Sequence, residues 1–273
     1  MDRSLRIEFD QVDQTNDPAD FVRYLDTTRA SDFFQEIKQR SYRLLDLNLG
    51  DAVCDLGCGT GDDVLALARL VGPSGRAVGV DASRTMLDEA SRRASAAGIA
   101  AEFHQMDVQH LDFADASFDG VRAERLLQHV ADPYAAQSEI VRIAKPGARI
   151  VIWEADLDLF VIDAPDYKTS QIMTRFIRDG FKQGGIGHEL YRRFLDLGLV
   201  DVQATPLMRE LTNLEQVEDP FDLSASIRRA VDAGLLSSQQ AGDWMEYLVR
   251  ADAAGRFYAA VGGFLASGTK PRP

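Results

Sequence analysis

The stretch VCDLGCGTG, residues Val53 to Gly61, constrains the fold of this chain more than any other. Its three glycines, Gly57, Gly59 and Gly61, follow a short apolar run and precede an amphipathic one. Glycines at such a strand-to-helix junction allow unusual backbone angles and let a ligand pack against bare main chain. The stretch therefore predicts a ligand site at the end of the first strand of a parallel sheet.

The glycine spacing alone leaves a dinucleotide-binding fold open. Two details favour a ligand without phosphates: the spacing is GxGxG, and the next helix begins with Asp62 and Asp63, where a pyrophosphate would otherwise bind. Asp55 adds a carboxylate suited to a ligand ammonium group. Asp81 ends the second apolar run, where a carboxylate can accept hydrogen bonds from both ribose hydroxyls. We therefore expect an adenosine ligand with a cationic, zwitterionic tail, and S-adenosylmethionine has that chemistry.

Short apolar runs alternate with amphipathic runs from Ala52 onward, which is typical of βαβ units. This pattern predicts an α/β fold: a Rossmann-like seven-stranded, mostly parallel sheet with helices on both faces. We expect residues 1–50 to form an N-terminal helical lid segment and residues 51–273 to form one domain. Helical insertions are expected at about 157–187, a cap beyond Asp156, and at 213–254.

The charge balance excludes several classes of partner. The chain of 273 residues has 30 basic and 43 acidic residues, a formal net charge of −13. Because affinity for nucleic acid depends on cationic side chains, we expect no nucleic-acid partner and no membrane partner. No signal peptide is recognised, and Cys54 and Cys58 are expected to be reduced thiols, so we expect a cytoplasmic protein, a monomer or a homodimer. No histidine and carboxylate cluster has ligand spacing in the sequence, so no metal is expected.

With VCDLGCGTG, Asp81 and Asp107 in this order, residues 36 to about 205 resemble the class I S-adenosylmethionine-dependent methyltransferases. The stretch ERLLQHVADPYAAQSEIVRIAKPGARIVIWEAD resembles the small-molecule methyltransferases of menaquinone and ubiquinone biosynthesis. The resemblance implies a methyltransferase that moves a methyl group from S-adenosyl-L-methionine to a small-molecule acceptor, in secondary or quinone metabolism.

The resemblance also implies the cofactor contacts. These are Asp55, Gly57, Cys58 and Gly59 near the methionine portion, Asp81 at the ribose, Ala82 and Met86 beside the adenine, and Asp107 with Val108 at its edge. Tyr24 is a candidate lid contact. Other roles remain open at this point: Asp55 as a structural carboxylate, Asp107 as a residue that starts a turn, and Cys58 and Met86 as packing residues.

Methyl transfer is a displacement at an activated sulfonium carbon, so positioning supplies much of the acceleration. His129 follows the expected fourth strand and is a candidate general base, with a packed structural histidine as the alternative. Glu154 and Asp156 end the expected fifth strand, Glu154 as a catalytic candidate and Asp156 as a substrate-binding one. In the cap, His188 and Phe160 are candidate substrate contacts.

The sequence leaves other functions open. Strand four is followed by Ala123-Glu124-Arg125 rather than the Asn/Asp-Pro-Pro-Tyr motif of nucleobase and glutamine N-methyltransferases. A protein with this fold that binds the cofactor without transferring methyl, a cyclase or a scaffold, is the alternative reading. A nicotinamide dehydrogenase is disfavoured by Asp62 and Asp63.

Overall fold

The computed structural model describes residues 9–14 and 19–272 of the chain. The strands are β1 (Ala52–Leu56), β2 (Arg76–Asp81), β3 (Glu102–Gln105), β4 (Phe118–Glu124), β5 (Ala144–Ile162), β6 (Val200–Leu211) and β7 (Ala259–Thr269). The helices are a 3-10 helix (Phe9–Gln14), α1 (Ala19–Arg29), α2 (Asp32–Leu45), α3 (Asp62–Val71), α4 (Arg84–Ala97), α5 (Pro133–Ile143), α6 (Tyr167–Asp179), α7 (Ile186–Asp196), α8 (Glu215–Phe221), α9 (Leu223–Asp232) and α10 (Ser238–Ala253). Of the expected lid segment, residues 1–8 and 15–18 lie outside the described residues.

All seven strands form one sheet in the order β3-β2-β1-β4-β5-β7-β6. Strands β1 to β5 are parallel, and β7 runs antiparallel to both of its neighbours, β5 and β6. The predicted Rossmann-like α/β fold is thereby confirmed. The strand order reverses between β1 and β4, and ligands bind in the crevice outside the carboxyl ends of strands at such a switch point.

Helices cover both faces of the sheet, as alternation along β1 requires. Val53 packs with Val64 of α3 and Ile37 of α2, whereas the next residue, Cys54, packs on the opposite face with Ile140 of α5. Successive side chains of a strand point to opposite faces, so the apolar run of β1 is buried on both sides. Among the described helices, none is long and apolar enough to cross a membrane.

Helix α2 belongs to the core of the domain. Its residues Ile37 and Leu45 are each 1% exposed and pack under the sheet. Arg149 of β5 also donates a hydrogen bond of 3.0 Å from Nε to the carbonyl oxygen of Leu44. The boundary expected at residue 50 therefore falls inside the packed unit, between α2 and the sheet that α2 covers.

The expectation that the fifth strand ends at Asp156 is wrong. Strand β5 continues to Ile162, because its pairing with β7 resumes at Val161 after a register shift. The shift interrupts the alternation of apolar and polar residues, so the sequence pattern weakens while the strand continues. The first insertion accordingly consists of α6, and the second, α8 to α10, lies between β6 and β7 within the expected range.

The two insertions share a second hydrophobic core and form the cap of the molecule. Trp244 of α10 is 2% exposed and donates a hydrogen bond of 3.0 Å from Nε1 to Ser170 Oγ of α6. Met173 of α6 and Leu223 of α9 are fully buried in the same cluster. The cap is thus held together by its own apolar contacts as well as by the end of β5.

Candidate active site

A cavity of about 1550 Å³ lies at the carboxyl ends of the parallel strands, above the switch point between β1 and β4. It exceeds the usual size of a pocket for one drug-sized ligand and therefore has room for a cofactor and an acceptor. Among the described residues, ten of the candidate cofactor, catalytic and lid contacts line it: Tyr24, Gly57, Cys58, Gly59, Asp81, Ala82, Met86, Asp107, Val108 and His129.

The glycine loop has the backbone that its sequence predicts. Gly57, Gly59 and Gly61 have φ values of +70°, +51° and +77°, in the left-handed region that favours glycine. The N–H groups of Gly57 and Cys58 donate to the carbonyl oxygen of Val80 at 2.8 and 2.9 Å. The loop is therefore fixed to the end of β2, with its main chain along the cavity wall.

Asp81 joins this loop to the one that follows β2. Its Oδ2 accepts a hydrogen bond of 2.8 Å from the Gly59 N–H, and its Oδ1 accepts one of 2.9 Å from the Ser83 N–H. Burial raises the pKa of the Asp81 carboxyl, and these two N–H groups act in the opposite direction. A carboxylate has about four lone-pair sites, so Asp81 keeps acceptor capacity for a ligand in the cavity.

Asp55 has a different partner from the one expected. It is 2% exposed, and its Oδ1 accepts a hydrogen bond of 2.8 Å from Nη1 of Arg122, which is itself 1% exposed. Burial raises the pKa of Asp55, and Arg122 lowers it. Among the described residues, those that line the cavity do not include Asp55. Contact with a ligand ammonium group does not fit this geometry, and the buried carboxylate serves as the counter-charge of Arg122.

Asp62 and Asp63 are also paired, which corrects the argument that they would repel a phosphate. Asp62 accepts hydrogen bonds of 2.8 Å from Arg29 and from Arg93. Asp63 bonds to Lys38 and Tyr42, and although burial raises its pKa, Arg122 and Lys38 hold that pKa below its usual range. These ion pairs compensate the charges of Asp62 and Asp63, and they attach α1 and α2 to the start of α3.

The 3-10 helix closes the cavity near the expected adenine position. Asp13 accepts hydrogen bonds from Ser83 Oγ at 2.6 Å and from the Arg84 N–H at 2.7 Å, and so caps the start of α4. Phe9 and Phe21 pack with Met86, which is 2% exposed. The described part of the N-terminal segment therefore covers this end of the cavity, and its expected role as a lid stays a prediction.

His129 lies in the loop between β4 and α5. Its ring is 5.4 Å from the ring of Phe9 and 6.3 Å from that of Phe181, measured between centroids. These rings come from the N-terminal segment and from the cap, so His129 faces the cavity where the two coverings meet. This position agrees with the role expected for it, which stays a prediction.

Glu154 of β5 is hydrogen-bonded to the loop that carries His129, and it is not among the described residues that line the cavity. It is fully buried, and its Oε1 accepts hydrogen bonds from the N–H groups of Leu126 at 2.8 Å and Leu127 at 2.6 Å. Burial raises the pKa of Glu154 to about 8, despite these N–H groups. Glu154 therefore supports the loop that carries His129, and its expected catalytic role stays a prediction that this burial does not favour.

Asp156, His188 and Phe160 lie outside the lining of the cavity, contrary to expectation. Asp156 is fully buried and accepts hydrogen bonds of 2.6 Å from the backbone N–H and from Nδ1 of His188. It thereby caps the start of α7. Phe160 stacks at 4.5 Å on Phe221, which lines the cavity, so Phe160 supports the wall from behind.

The same cluster corrects the expectation that no metal-ligand spacing exists. Ligand atoms of Asp156, Asp158 and His188 lie within 4.8 Å of one another. Sequence spacing could not reveal this group, because α7 lies about 30 residues further along the chain and packs back against β5 beside Asp156. Its carboxylates already have partners, however: Asp156 caps α7, and Arg178 Nε lies 3.4 Å from an oxygen of Asp158.

Sequence reasoning missed the cationic residues of the site. Arg122, in the middle of β4, was not expected to be buried, and it contacts Asp55, Asp63 and Glu124. Arg125 follows β4 and lines the cavity with a φ of +52°, a strained angle for a residue with a side chain. The only sequence signal was position, since both residues precede the loop of His129.

Comparison with known proteins agrees with this geometry. The family model described as "Methyltransferase domain" matches residues 47–191, which include the glycine loop, Asp81 and His129. The chain belongs to this methyltransferase domain family. It is a class I S-adenosylmethionine-dependent methyltransferase, and S-adenosyl-L-methionine is its cofactor.

Two curated relatives and one solved structure illustrate the likeness. The methyltransferase is 37% identical over 243 residues to an uncharacterised 37.1 kDa protein in transposon TN4556 of Streptomyces fradiae, covering 89% of this chain and 69% of that protein. It is 37% identical over 119 residues to the demethylmenaquinone methyltransferase of Lactobacillus johnsonii, covering 43% of this chain and 49% of that enzyme. The chain thus matches about half the length of that enzyme. The YcgJ protein of Bacillus subtilis shares the fold, with 19% identity, a TM-score of 0.63, and coverage of 88% and 100% of the two chains.

Proposed function

We propose that this methyltransferase transfers the methyl group of S-adenosylmethionine to a small-molecule acceptor bound in the same cavity. One observation carries the proposal: a single cavity connects the glycine loop and Asp81 with the ring of His129. The glycine loop and Asp81 have the arrangement of a nucleoside-binding site. His129 is a candidate for taking up the proton of the acceptor. The expected setting in secondary metabolism stays a prediction.

The residues present fit the cofactor. Asp81 would hold the ribose hydroxyls, and the apolar side chains of Met86 and Val108, 2% and 6% exposed, would enclose the adenine. The bare main chain of Gly57 and Gly59 would lie against the methionine portion. A Cβ on Gly57 would stand 3.0 Å from Leu126 Cδ1, so a side chain there would fill the space against the loop after β4.

Bound S-adenosylmethionine supplies a methyl group on a positively charged sulfur. The chain's own contribution is to orient an acceptor and to take up its proton. His129 would accept that proton, held in place because its loop is hydrogen-bonded to the buried Glu154. A positioned general base contributes about a hundredfold or more to such a rate. Phe9 and Phe181, whose rings lie 5.4 and 6.3 Å from that of His129, would exclude water from it.

A small molecule fits the enclosure better than a polymer. The N-terminal segment covers the cavity from one side with Phe9 and Tyr24, and the cap covers it from the other with Phe181 and Phe221. The similarity to part of a demethylmenaquinone methyltransferase, an enzyme named for a quinone acceptor, supports the same class of substrate. The acid excess of the chain, a formal net charge of −13, argues against an anionic polymer.

The test is transfer of label from S-adenosylmethionine into the small-molecule fraction of a cell extract. We expect saturable incorporation by the wild-type protein, and a decrease of about a hundredfold in His129→Ala without loss of cofactor affinity. His110→Ala is the matched control, since His110 is exposed and lies outside the cavity lining. Cofactor binding without any incorporation would support the non-transferring alternative instead.

A further inference from the structure

The acceptor side of the cavity differs in charge from the chain as a whole. We use this term for the part that lies beyond the ends of β4, β5, β7 and β6, away from the glycine loop. Three cationic residues line it, Arg125, Lys182 and Arg209. Of the acidic residues near it, Glu124 forms ion pairs with Arg122 and Lys38, and Glu215 is exposed to solvent. In a protein with a formal net charge of −13, this concentration of positive charge points to a ligand that is an anion.

Arg125 has the geometry of a residue held for a ligand. Its φ of +52° is strained, and the strand hydrogen bond from its N–H to the carbonyl oxygen of Trp153, 2.8 Å long, maintains it. Its Nε is buried and has no hydrogen-bond partner among the described residues, with Glu124 Oε1 3.8 Å away. Residues held in strained backbone regions cluster at ligand sites, and a buried donor without a partner destabilises the protein until a ligand or another group pairs with it.

An aromatic ring lies against this guanidinium. Its carbon lies 4.8 Å from the ring centroid of Phe34, and the ring of Phe34 meets that of Trp153 edge to face at 5.6 Å. Phe33, Phe181 and Phe221 add further aromatic surface to the wall. A flat apolar ring would pack against these side chains, with an anionic substituent directed at Arg125.

We propose that the acceptor is an aromatic carboxylic acid whose carboxylate binds Arg125, an inference that rests on the proposed function. A carboxylate is a permanent anion at neutral pH, and its two oxygens match the fork of a guanidinium. Arg125 is then the residue that determines specificity, and it holds the acceptor ring between the aromatic wall and His129.

The test compares two probes of equal shape on the protein saturated with S-adenosylhomocysteine. 2-Naphthoate carries the carboxylate, and naphthalene-2-carboxamide replaces it with a neutral planar group. We expect calorimetry to show that the acid binds about ten- to a hundredfold more tightly than the amide. This ratio is the usual contribution of a hydrogen bond between charged groups to affinity. In Arg125→Gln this preference disappears, and in Arg125→Lys part of it remains.

The control variant is Arg250→Gln, which removes an exposed arginine of α10 and should keep the full preference. Equal affinity for the two probes, no binding of either, or an unchanged preference in Arg125→Gln would overturn the proposal. Tighter binding of 2-naphthyl phosphate than of 2-naphthoate would overturn the assignment of a carboxylate. Loss of S-adenosylhomocysteine affinity in Arg125→Gln would place the residue on the cofactor side. If the wild-type protein fails to bind S-adenosylhomocysteine, the proposed function itself fails.

Discussion

Asp81 at the end of β2 accepts a hydrogen bond of 2.8 Å from the backbone N–H of Gly59 in the loop after β1. The ends of two adjacent strands are thereby joined beneath the cavity. The carboxylate that would hold a ribose also fixes the main chain that would face the methionine portion. Cofactor binding and the conformation of the glycine loop therefore depend on the same side chain.

Asp81→Ala should weaken the affinity for S-adenosylhomocysteine by about tenfold or more, because a charge-assisted hydrogen bond is lost and the loop loses its anchor. Calorimetric titration measures this affinity. Asp88→Ala, which removes an exposed carboxylate of α4, is the control and should bind like the wild-type protein. Unchanged affinity in Asp81→Ala would reject the assignment of the ribose site.

Gly61→Ala should destabilise the protein more than Gly98→Ala. Both glycines have positive φ, +77° and +63°, so each substitution costs about 1 kcal/mol of backbone strain. A Cβ on Gly61 would in addition lie 2.7 Å from Ala90 Cβ, whereas one on Gly98 meets nothing within 4 Å. Urea unfolding should show the additional loss for Gly61→Ala, and equal losses would contradict the close approach of α3 to α4.

Arg122→Gln should lower the free energy of unfolding by about 3–5 kcal/mol, because it leaves buried carboxylates without their counter-charge. The double variant with Asp55→Asn should lose clearly less than the sum of the two single variants, since Asp55 and Arg122 interact at 2.8 Å. Urea unfolding of the four proteins measures this coupling. Strict additivity would show that the pair contributes nothing to stability.

Glu154→Gln should remove a pH dependence of stability. The folded pKa of Glu154, about 8, lies above its ordinary value of 4.5, so the folded state holds a proton that the unfolded state releases. The wild-type protein should therefore lose stability relative to Glu154→Gln as pH rises between these values, by about 1.4 kcal/mol per unit at most. The measurement is urea unfolding of both proteins from about pH 5 to about pH 9. Parallel pH profiles would show that Glu154 is ionised throughout.

Local sequence was sufficient to place the glycine loop and Asp81 at one cavity. The strand, glycine loop and helix around Gly57 to Gly61 are contiguous, and Asp81 ends the next strand of the same βαβ unit. Their placement follows from strand order alone. The geometry of a βαβ unit depends on residues that are close in sequence, so the glycine loop and Asp81 lie at the ends of the strands where the sequence predicts them.

The partners of the buried charged residues and the full length of β5 depend on contacts between distant parts of the chain. Arg122 takes Asp55 as its partner across neighbouring strands, and no spacing reveals which carboxylate a buried arginine will meet. His188 reaches Asp156 only because α7 packs back against β5. A register shift conceals the last residues of β5 in the sequence pattern. Arg125 lies within the stretch ERLLQHVADP, and its importance is visible only from its backbone angle and its position in the cavity.

The most direct test of the central claim is a calorimetric titration of the wild-type protein with S-adenosyl-L-methionine, with NADH as the comparison ligand. We expect saturable binding of one S-adenosylmethionine per chain and no binding of NADH. Saturable binding of NADH, or no binding of S-adenosylmethionine, would contradict the assignment of the cavity around Gly59 and Asp81.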